Sequence, residues 1–360
     1  MIDVDYKSPQ DAPRNLMDNE PREYDALLIV SFGGPEGMDD VIPFLENVLR
    51  GRNIPRARLE EVGEHYRLFN GVSPINAQNR ALIAALKAEL TASGPDLPIY
   101  WGNRNWHPYL TDTLRQMTHD GVRRALAFFT TAYSSYSSCR QYREDIQRAQ
   151  AEIGPDAPAV DKIRAFYNHP GFIEPNIENL RRALEQIPPE RRARAHIAFT
   201  AHSLPLSMAR NCAYEAQLHE TCRLVAEEIG HNRWQLVYQS RSGPPHQPWL
   251  EPDIVDHLKQ IARAGVTDVV VMPIGFISDH MEVLYDLDTE AAQAAQALDL
   301  NMIRAATVGT HPTFIRMIRE LILERMTPGQ ERRVLGMRGP SHDVCGAGCC
   351  LPGQPGKPAV

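Results

Sequence analysis

The sequence has neither a long apolar run nor an excess of positive charge, and each absence excludes a class of protein. No stretch approaches the roughly 20 consecutive apolar residues that a membrane-spanning helix requires. The net charge of −7 argues against nucleic acid as a partner, because polyanions bind basic surfaces. Residues 1–22 lack the apolar segment of a secretory signal, so we predict a flexible N-terminal arm. We therefore expect a soluble, cytoplasmic protein without stable membrane insertion.

Cysteine is scarce in the body of the chain and concentrated at its end. The body contains Cys139, Cys212 and Cys222, and the C-terminal segment contains Cys345, Cys349 and Cys350. A cytosolic protein rarely uses such a cluster for structural disulfides, whereas thiolates are common ligands of zinc and iron–sulfur centres. Such centres usually need four ligands, so the body would have to supply the fourth. An unstructured tail with reactive thiols is the alternative that the spacing leaves open.

Apolar runs alternate along the chain with amphipathic helical patterns. The predicted strands cover residues 26–32, 97–102, 125–131, 196–201, 235–239, 268–274 and 302–307. The predicted helices cover residues 79–93, 140–153, 215–229, 252–264 and 289–298. Continuous apolar runs are typical of parallel strands buried on both faces, and alternation with helices is typical of α/β proteins. We therefore predict an α/β fold with parallel sheets and helices on both faces.

A segment with glycine and two prolines at 154–158 divides the chain into two halves. The alternation of strands and helices begins again after it, which indicates a pseudo-repeat. We predict an arm at 1–22, a first domain at 23–158, a second domain at 159–326 and a cysteine-bearing tail at 327–360. The first strand is followed by Gly33-Gly34-Pro35 rather than by G-x-G-x-x-G, which disfavours a nicotinamide-dependent enzyme.

Two predicted strands are followed by side chains with distinctive chemistry. His202 comes directly after the strand at 196–201 and suits proton abstraction or metal coordination, with a core histidine as the alternative. Glu282, Asp286 and Glu290 follow the strand at 268–274 at i, i+4, i+8 spacing, which places carboxylates on one helix face. A solvated acidic face is the alternative. Because ligands bind beyond the carboxyl ends of such strands, we predict one site that handles protons and a divalent cation.

Several short strings, in their order and spacing, resemble the ferrochelatase family over residues 25–325. They are Ser31-Phe32-Gly33-Gly34-Pro35, Gly71-Val72-Ser73-Pro74, Ala201-His202-Ser203-Leu204-Pro205, Tyr238-Gln239-Ser240, Pro248-Trp249-Leu250 and Gly275-Phe276-Ile277-Ser278-Asp279-His280-Met281-Glu282-Val283-Leu284-Tyr285-Asp286. The resemblance implies two Rossmann-like halves that face a porphyrin cleft. It also implies an enzyme that inserts ferrous iron, as a substrate, into a tetrapyrrole.

The resemblance assigns roles to individual residues. His202 and Glu282 match the family's catalytic histidine and carboxylate, and both are expected to contact the metal. Asp286 and Glu290 match its acidic line, which is a proposed route for the metal. The residues expected around the porphyrin are Phe32, Arg50, Arg52, Tyr66, Ser73 and Tyr133. Phe32 stands where relatives have Tyr or Met, and a phenyl group can neither coordinate iron nor donate a hydrogen bond.

The predicted substrate depends on the segment 47–67, which corresponds to the family's lip over the cleft. This segment contains Arg50, Arg52, Arg56, Arg58 and Arg67. Relatives that take porphyrin from a membrane have an apolar lip, whereas guanidinium groups pair with carboxylates. Coproporphyrin III has propionates where protoporphyrin IX has vinyl groups, so we expect coproporphyrin III as substrate. The alternatives are protoporphyrin IX as substrate and arginines that only balance neighbouring glutamates.

Some ferrochelatases hold a [2Fe–2S] cluster with three C-terminal cysteines and one cysteine from the body. The body ligand lies just after a strand end rich in Tyr and Ser, which matches residues 133–138 here. The ligands implied by the resemblance are Cys139, Cys345, Cys349 and Cys350. Cys212 is the other body candidate, Cys222 is interpreted as an ordinary helix residue, and a structural zinc in the same thiolates is the competing interpretation.

Two other functions compete with iron insertion. One is a chelatase for another metal or ring, and the other is a non-catalytic tetrapyrrole carrier or sensor with an iron–sulfur centre. A carrier has no need of His202 and Glu282, and this chain keeps both. The resemblance further implies transient contact with the enzymes upstream and downstream in the haem pathway.

Overall fold

Two parallel sheets of four strands follow each other along the chain. The computed structural model describes residues 22–51, 55–243 and 246–353. The strands are β1 (Ala26–Ser31), β2 (Ile99–Asn103), β3 (Arg124–Phe129), β4 (Ala159–Lys162), β5 (His196–His202), β6 (Trp234–Gln239), β7 (Asp268–Met272) and β8 (Asn301–Arg304). The first sheet has the order β2-β1-β3-β4 and the second has the matching order β6-β5-β7-β8. The predicted α/β fold with two Rossmann-like halves is confirmed, and the pseudo-repeat lies in the topology.

Helices connect the strands. They are α1 (Met38–Val48), α2 (Arg56–Arg67), α3 (Ile75–Ser93), α4 (Leu110–His119), α5 (Gln141–Ile153), α6 (Pro170–Glu185), α7 (Pro189–Arg192), α8 (Leu206–Ala209), α9 (Tyr214–Ile229), α10 (Ile254–Arg263), α11 (Ala292–Ala297) and α12 (Pro312–Met326). Two further segments, Tyr136–Arg140 and Val283–Ala291, are π-helices with i→i+5 hydrogen bonds, a rare form that is frequent at functional sites. Within the described ranges, no helix is long and apolar enough to cross a lipid bilayer.

The central strand β1 explains why its sequence is a continuous apolar run. All six of its residues are buried. Leu28 and Val30 pack with α4 and α5 on one face of the sheet, whereas Leu27 and Ile29 pack with α3 on the other. Because successive side chains point to opposite faces, a strand covered on both sides is apolar at nearly every position, and its last residue, Ser31, accepts a hydrogen bond from Asn79.

The linker at 154–158 does not separate the two sheets. The strand β4, which follows it, pairs in parallel with β3, so that Asp161 lies opposite Leu126. This strand therefore belongs to the first sheet, whereas the predicted boundary placed residues 159–162 in the second domain. It is a short edge strand that ends in Asp161 and Lys162, and it lacks the apolar run by which the other strands were predicted.

One continuous hydrophobic core joins the two halves. The helix α12 packs against α3 of the first half and α6 of the second. Phe166 packs against both Phe172 and Phe314, with ring centroids 5.7 and 6.0 Å away. Arg164 and Glu324 form a fully buried ion pair, with Nε and Oε2 2.7 Å apart, in which each charge compensates the other. This shared core fixes the strand ends of one sheet relative to those of the other.

The C-terminal segment folds back on the body of the protein. The side chain of Asn168 donates a hydrogen bond to the carbonyl oxygen of Arg338 at 2.9 Å. Asp343 is buried and lies 3.3 Å from a guanidinium nitrogen of Arg325 and 2.5 Å from one of Arg332. These contacts hold the cysteine-bearing segment against the body of the protein.

Candidate active site and cysteine cluster

Three neighbouring strands of the second sheet end at the candidate site. The strand β5 ends in His202, β6 is followed by Ser240, and β7 is followed by the segment that leads to Glu282. Gly275 lies at the start of this segment, and its N–H donates to the carbonyl oxygen of Thr200 at 3.0 Å. A Cβ atom on Gly275 would lie 2.7 Å from the Cα of Ala201. Only glycine therefore lets the acidic segment approach β5 this closely.

His202 and Glu282 form a pair at the bottom of the site. The Nε2 atom of His202 lies 3.6 Å from the Oε1 atom of Glu282. The Nδ1 atom of His202 lies 2.5 Å from the carbonyl oxygen of Ser203, which fixes the ring so that Nε2 faces the carboxylate. The side chains of His202 and Glu282 are 32% and 46% exposed, so a ligand can reach both.

The pair is ionised in the ligand-free protein at neutral pH. Burial lowers the pKa of His202, but the Glu282 carboxylate outweighs this effect and raises the pKa to about 9. Burial raises the pKa of Glu282, but the charge of His202 outweighs it and lowers the pKa to about 2. The site therefore holds an imidazolium beside a carboxylate until a ligand changes their environment.

Asp286 is held by the end of β6. Its Oδ2 atom accepts hydrogen bonds from the hydroxyl of Ser240 and from Nε2 of Gln239, the latter at 3.3 Å. The same amide of Gln239 donates to the carbonyl oxygen of Glu282 at 3.0 Å. Ser240 has a φ of 62°, in the left-handed region that is uncommon for non-glycine residues. Burial, followed by the charge of Glu282, raises the pKa of Asp286 to about 7.

The acidic row lies on a π-helix rather than on the predicted α-helix. Asp286 and Glu290 belong to the segment Val283–Ala291, and Glu282 immediately precedes it. The side chain of Glu290 is exposed. Partial desolvation of its carboxyl group, together with the charge of Asp253, raises its pKa. The charges of Glu282 and Glu290 both raise the pKa of Asp286, so the three carboxyl groups are close enough to interact.

Asp279 and His280, which also follow β7, have structural partners. Asp279 forms an ion pair with Arg304, whose Nη2 atom lies 3.1 Å from Oδ2, and accepts a hydrogen bond from Thr307. His280 accepts a hydrogen bond at Nδ1 from the backbone N–H of Glu282 at 3.2 Å. Their polar atoms thus shape the segment that carries Glu282.

Aromatic side chains of the first half pack together beside the acidic segment, in a cluster that includes Met281. Phe32, directly after β1, is 37% exposed, and its ring meets the edge of Phe44 at 6.2 Å. Tyr66 packs on Phe44 at the same distance. Burial, with a contribution from the Glu282 charge, raises the pKa of Tyr66, so this phenol lies within electrostatic range of the pair. Ser73 is buried and packs against Gly34, where a Cβ atom would lie 2.7 Å from that of Ser73.

Two contacts join the halves beside the site. The ring of His65 on α2 stacks on Tyr285 of the acidic segment, with centroids 3.9 Å apart and planes 8° apart. Gln78 on α3 accepts a hydrogen bond from the backbone N–H of Asp279 at 2.9 Å. The first half therefore contacts the acidic segment at two points, Asp279 and Tyr285, which places the site between the two halves.

Tyr133 does not line the cleft as predicted. It is 2% exposed, and its hydroxyl donates to the carbonyl oxygen of Ile274 at 2.8 Å. Its ring meets the edge of Tyr214, whose own hydroxyl donates to the carbonyl oxygen of His202 at 3.1 Å. The tyrosine is a core residue that supports the strand ends from behind, because the interface between the two halves covers it.

The structure describes only one of the two arginines that were predicted to contact the porphyrin. Arg50 is exposed after α1, and its Nη2 atom donates to Oδ1 of Asn47 at 2.6 Å. Its guanidinium thus contacts a neutral side chain in this arrangement. Arg52 lies outside the described residues.

Two other arginines of the lip pair with neighbouring glutamates, as the alternative interpretation of this segment predicts. Arg56 pairs with Glu60 on α2, with Nε and Oε1 3.2 Å apart. Arg67 pairs with Glu64 at 2.9 Å. These arginines balance glutamates on the surface of their own helix.

The C-terminal thiols meet Cys139. Cys139 is buried in the π-helical segment Tyr136–Arg140, and a hydrogen bond with Cys345, together with burial, raises its pKa well above the usual value. The Sγ atoms of Cys349 and Cys350 are 3.6 Å apart. Arg140 donates to the carbonyl oxygen of Cys349 at 3.0 Å, which holds the tail against the π-helix. The structure thus brings together the four cysteines that the sequence singled out.

The other two cysteines of the body differ in their surroundings. Cys222 is fully buried on α9. Cys212 donates to the carbonyl oxygens of Met208 and Ala209 at 3.5 and 3.4 Å, within its own chain segment. Burial, with contributions that include the nearby Cys350, raises the pKa of Cys212 to about 12.

Sequence reasoning missed three polar residues at these sites. Gln239 and Ser240 belong to a quoted string but received no role, because only the fold places the end of β6 beside Asp286. His342 lies against the tail thiols, with Nε2 3.4 Å from Sγ of Cys345. Its position three residues before Cys345 is the signal that could have identified it. His342, Cys345 and Cys349 together offer three metal-ligating atoms within 4.8 Å of one another.

The sequence is similar to those of known proteins over most of its length. The family model described as Ferrochelatase matches residues 24–326. The chain is 58% identical over 329 residues to a ferrochelatase of Rhodopirellula baltica, covering 91% of this chain and 93% of that protein. It is 53% identical over 368 residues to the coproporphyrin III ferrochelatase of Streptomyces coelicolor, covering 96% and 97% of the two chains. 

Among solved structures, SirB from Bacillus subtilis with Fe3+ has a similar fold. The TM-score is 0.52 at 13% identity, and the alignment covers 83% of this chain and 96% of SirB. At this identity the likeness supports the chelatase-type fold alone. The family match and the high identity to relatives over nearly their whole length show that the chain belongs to the ferrochelatase family.

Proposed function

We propose that the protein inserts ferrous iron into coproporphyrin III to form coproheme. The observation that carries this proposal is the His202–Glu282 pair, 3.6 Å apart at the strand ends of a cleft between two sheets. Family membership supports iron insertion. The name of the Streptomyces coelicolor relative supports coproporphyrin III as the porphyrin.

Metal insertion must remove both N–H protons of the porphyrin while the dication loses its water ligands. In our proposal His202 accepts the pyrrole protons one at a time and releases each to solvent, and Glu282 is the carboxylate that meets the incoming metal. Because His202 is already protonated in the ligand-free pair, it first releases that proton to solvent, which becomes favourable when the negative charge of Glu282 is compensated. An arriving dication supplies that compensation, since a nearby positive charge lowers the pKa of an imidazolium. Metal arrival and proton acceptance are thereby coupled.

The acidic row supplies the route by which iron approaches. Glu290 is exposed, and Asp286 lies between it and Glu282 along the π-helix. Carboxylate oxygens bind hard and borderline dications while these keep some of their waters. Ser240 and Gln239 orient Asp286, so they are positioning residues in this proposal.

The proposal is tested by an anaerobic insertion assay with ferrous iron and coproporphyrin III. We expect the free-base absorption to disappear and the metallated spectrum to replace it. Binding of porphyrin without turnover would contradict enzyme function and favour a carrier. Turnover with cobalt or zinc but not with iron would identify a chelatase for another metal.

The preference for coproporphyrin III over protoporphyrin IX is proposed to depend on Arg50, with Arg52 as a second candidate. Arg50 is exposed, and its guanidinium donates a hydrogen bond to the neutral side chain of Asn47. Its positive charge is therefore available to a propionate. At an exposed site such a contact contributes up to about 1 kcal/mol, or roughly a fivefold effect. We expect Arg50→Ala to lower kcat/KM for coproporphyrin III by this factor and to leave protoporphyrin IX unaffected.

The matched control for this test is Arg56→Ala, because Arg56 is paired with Glu60 on the same lip. This variant should keep the wild-type preference. Equal losses in both variants, or equal losses on both porphyrins, would return Arg50 to the role of surface charge.

We also propose a [2Fe–2S] cluster on Cys139, Cys345, Cys349 and Cys350. The donor set fits, because four thiols meet at one place and four thiolates are the usual complement for this cluster. When bound, the cluster would link the tail to the first half and exchange single electrons. A structural zinc in the same thiolates is the competing proposal. A cytoplasmic location and transient contacts with neighbouring haem-pathway enzymes stay predictions.

The cluster is tested by iron and acid-labile sulfide analysis after anaerobic purification. Iron and sulfide in equal amounts, with a coloured protein, would support the cluster, whereas zinc alone in a colourless protein would refute it. Cys139→Ser should remove the colour, and Cys222→Ser, the buried control on α9, should keep it. Colour that survives in the Cys139 variant would move the fourth ligand to Cys212.

A further inference from the structure

A histidine lies among the tail cysteines and has no role in the proposals above. The Nε2 atom of His342 is 3.4 Å from Sγ of Cys345 and 3.6 Å from Sγ of Cys349. Both distances suit an N–H···S hydrogen bond. One imidazole nitrogen therefore faces two thiols at once.

The backbone around His342 is fixed from two sides. Lys162, at the end of β4, donates from Nζ to the carbonyl oxygen of His342 at 3.2 Å. The next residue, Asp343, is buried in ion pairs with Arg325 and Arg332. These anchors belong to the body and to the start of the tail, so the imidazole is positioned without help from a bound metal.

The count of ligands favours a donor role over a ligand role for this histidine. Cys139, Cys345, Cys349 and Cys350 already supply four thiolates, which completes a [2Fe–2S] cluster. A fifth ligand would exceed the usual complement, whereas a hydrogen-bond donor beside two of the thiolates does not compete with them.

We propose that His342 donates its Nε2–H to the thiolates of Cys345 and Cys349 and thereby raises the reduction potential of the cluster. The inference rests on the proposed [2Fe–2S] cluster. One-electron reduction adds a negative charge to the cluster and its sulfur ligands. A hydrogen bond to those sulfurs is therefore stronger in the reduced state, which makes reduction more favourable.

Basic side chains around the tail also favour the more negatively charged, reduced cluster. They stay in place when His342 is replaced. Arg140 donates to the carbonyl oxygens of Ala347 and Cys349 at 2.7 and 3.0 Å, and Lys162 holds residue 342 itself. Because these contacts are made to the backbone of the tail, the imidazole can be removed while the tail keeps its anchors.

The test compares the wild-type protein with His342→Ala, His342→Gln and the control His119→Ala, which replaces an exposed histidine on α4. Each protein is purified anaerobically, analysed for iron and sulfide, and titrated with dithionite, a one-electron reductant, while the visible and electron paramagnetic resonance spectra are followed. We expect the midpoint potential of His342→Ala to shift to a more negative value. His342→Gln keeps an N–H donor and should recover part of the shift, and His119→Ala should match the wild type.

Three results would overturn the inference. An unchanged midpoint potential in a cluster-loaded His342→Ala protein would show that the imidazole does not stabilise the reduced state. Loss of iron and sulfide from both His342 variants would make His342 a ligand instead of a donor. A wild-type protein that holds zinc would refute the cluster assignment, and this inference with it, while leaving the proposal of iron insertion intact.

Discussion

At the scale of single residues, the site depends on two side chains that control each other's charge. The Glu282 carboxylate raises the pKa of His202, and the imidazolium lowers the pKa of Glu282. Neither residue can be replaced without changing the protonation of the other. In the proposed mechanism the pair therefore acts as one unit, because an incoming dication changes the charge balance that keeps His202 protonated.

We predict that His202→Ala and Glu282→Gln each lower the turnover number by about 10²–10⁴-fold, the usual contribution of a positioned acid or base. Porphyrin binding should persist, because neither change removes Phe32 or Tyr66 of the other half, which are proposed to contact the porphyrin. Turnover is measured anaerobically, and binding is measured by fluorescence quenching. The exposed His119→Ala variant serves as control. Near-wild-type turnover in either site variant would remove that residue from the catalytic pair.

His202 and Glu282 were singled out because they follow apolar strands, a signal that is local in the chain, and the family resemblance then assigned their catalytic roles. Sequence reasoning gave no role to Gln239 and Ser240, whose importance depends on the distance between β6 and Asp286. That distance is set by the parallel pairing of β5 with β6 and β7, which no local pattern encodes. The burial of Tyr133 was missed for the same reason, since it results from the contact between the halves.

At the scale of secondary-structure elements, the close approach of the acidic segment to β5 is a testable requirement. We predict that Gly275→Ala destabilises the protein by about 1–3 kcal/mol, the usual cost of overpacking, and lowers activity by displacing Glu282. The reason is the 2.7 Å contact that a Cβ atom would make with Ala201. Chemical denaturation and the insertion assay measure the two effects.

The control for this prediction is Gly339→Ala. Gly339 is exposed and lies outside the helices and strands, and no atom lies within 4 Å of the position that its Cβ would occupy. This variant should behave like the wild type. A fully stable and active Gly275→Ala protein would show that the segment can move without loss.

A second prediction at this scale concerns the pair of histidines that joins β5 to α10. The Nε2 atoms of His196 and His257 are 2.9 Å apart, and burial lowers the pKa of each from 6.5 to about 4. Because the unfolded chain binds more protons in this range, the pair's contribution to stability is complete above pH 6.5. It is lost as the pH falls from 6.5 toward 4.

We therefore expect His257→Gln to make the free energy of unfolding less dependent on pH in this window. The slope should decrease by up to about 1.4 kcal/mol per pH unit, the value for one proton. Denaturant titrations at a series of pH values measure the slope, with His119→Gln as the exposed control. An identical slope in wild type and His257→Gln would show that the histidines do not titrate with folding.

The elements that the sequence did not reveal have physical explanations. The edge strand β4 has four residues, two of them charged, so its apolar pattern is too short to recognise. The acidic row was expected on an α-helix, but the segment Val283–Ala291 is a π-helix. Over nine residues, apolar positions with a spacing of three to four suit either helix type, and the backbone hydrogen bonds decide between them.

At the scale of the whole molecule, the cleft exists because one core joins two halves of matching topology. The contacts of α12 with α3 and α6 join the two halves, and the buried ion pair of Arg164 with Glu324 anchors α12. The stacked His65 and Tyr285 add a contact beside the site. The pattern of strands and helices alone indicated the matching topology of the two halves. The hydrophobic core that joins them could not be predicted in this way, because its residues are distant from one another in the sequence.

The measurement that tests the central claim most directly is an internal competition between the two porphyrins. Coproporphyrin III and protoporphyrin IX are mixed in equal amounts with limiting ferrous iron under anaerobic conditions, and the two haem products are counted by mass spectrometry. We predict that the wild-type protein forms coproheme in large excess and that Glu282→Gln forms little of either product. Equal amounts of the two haems, an excess of protohaem, or unchanged product formation by Glu282→Gln would contradict the account.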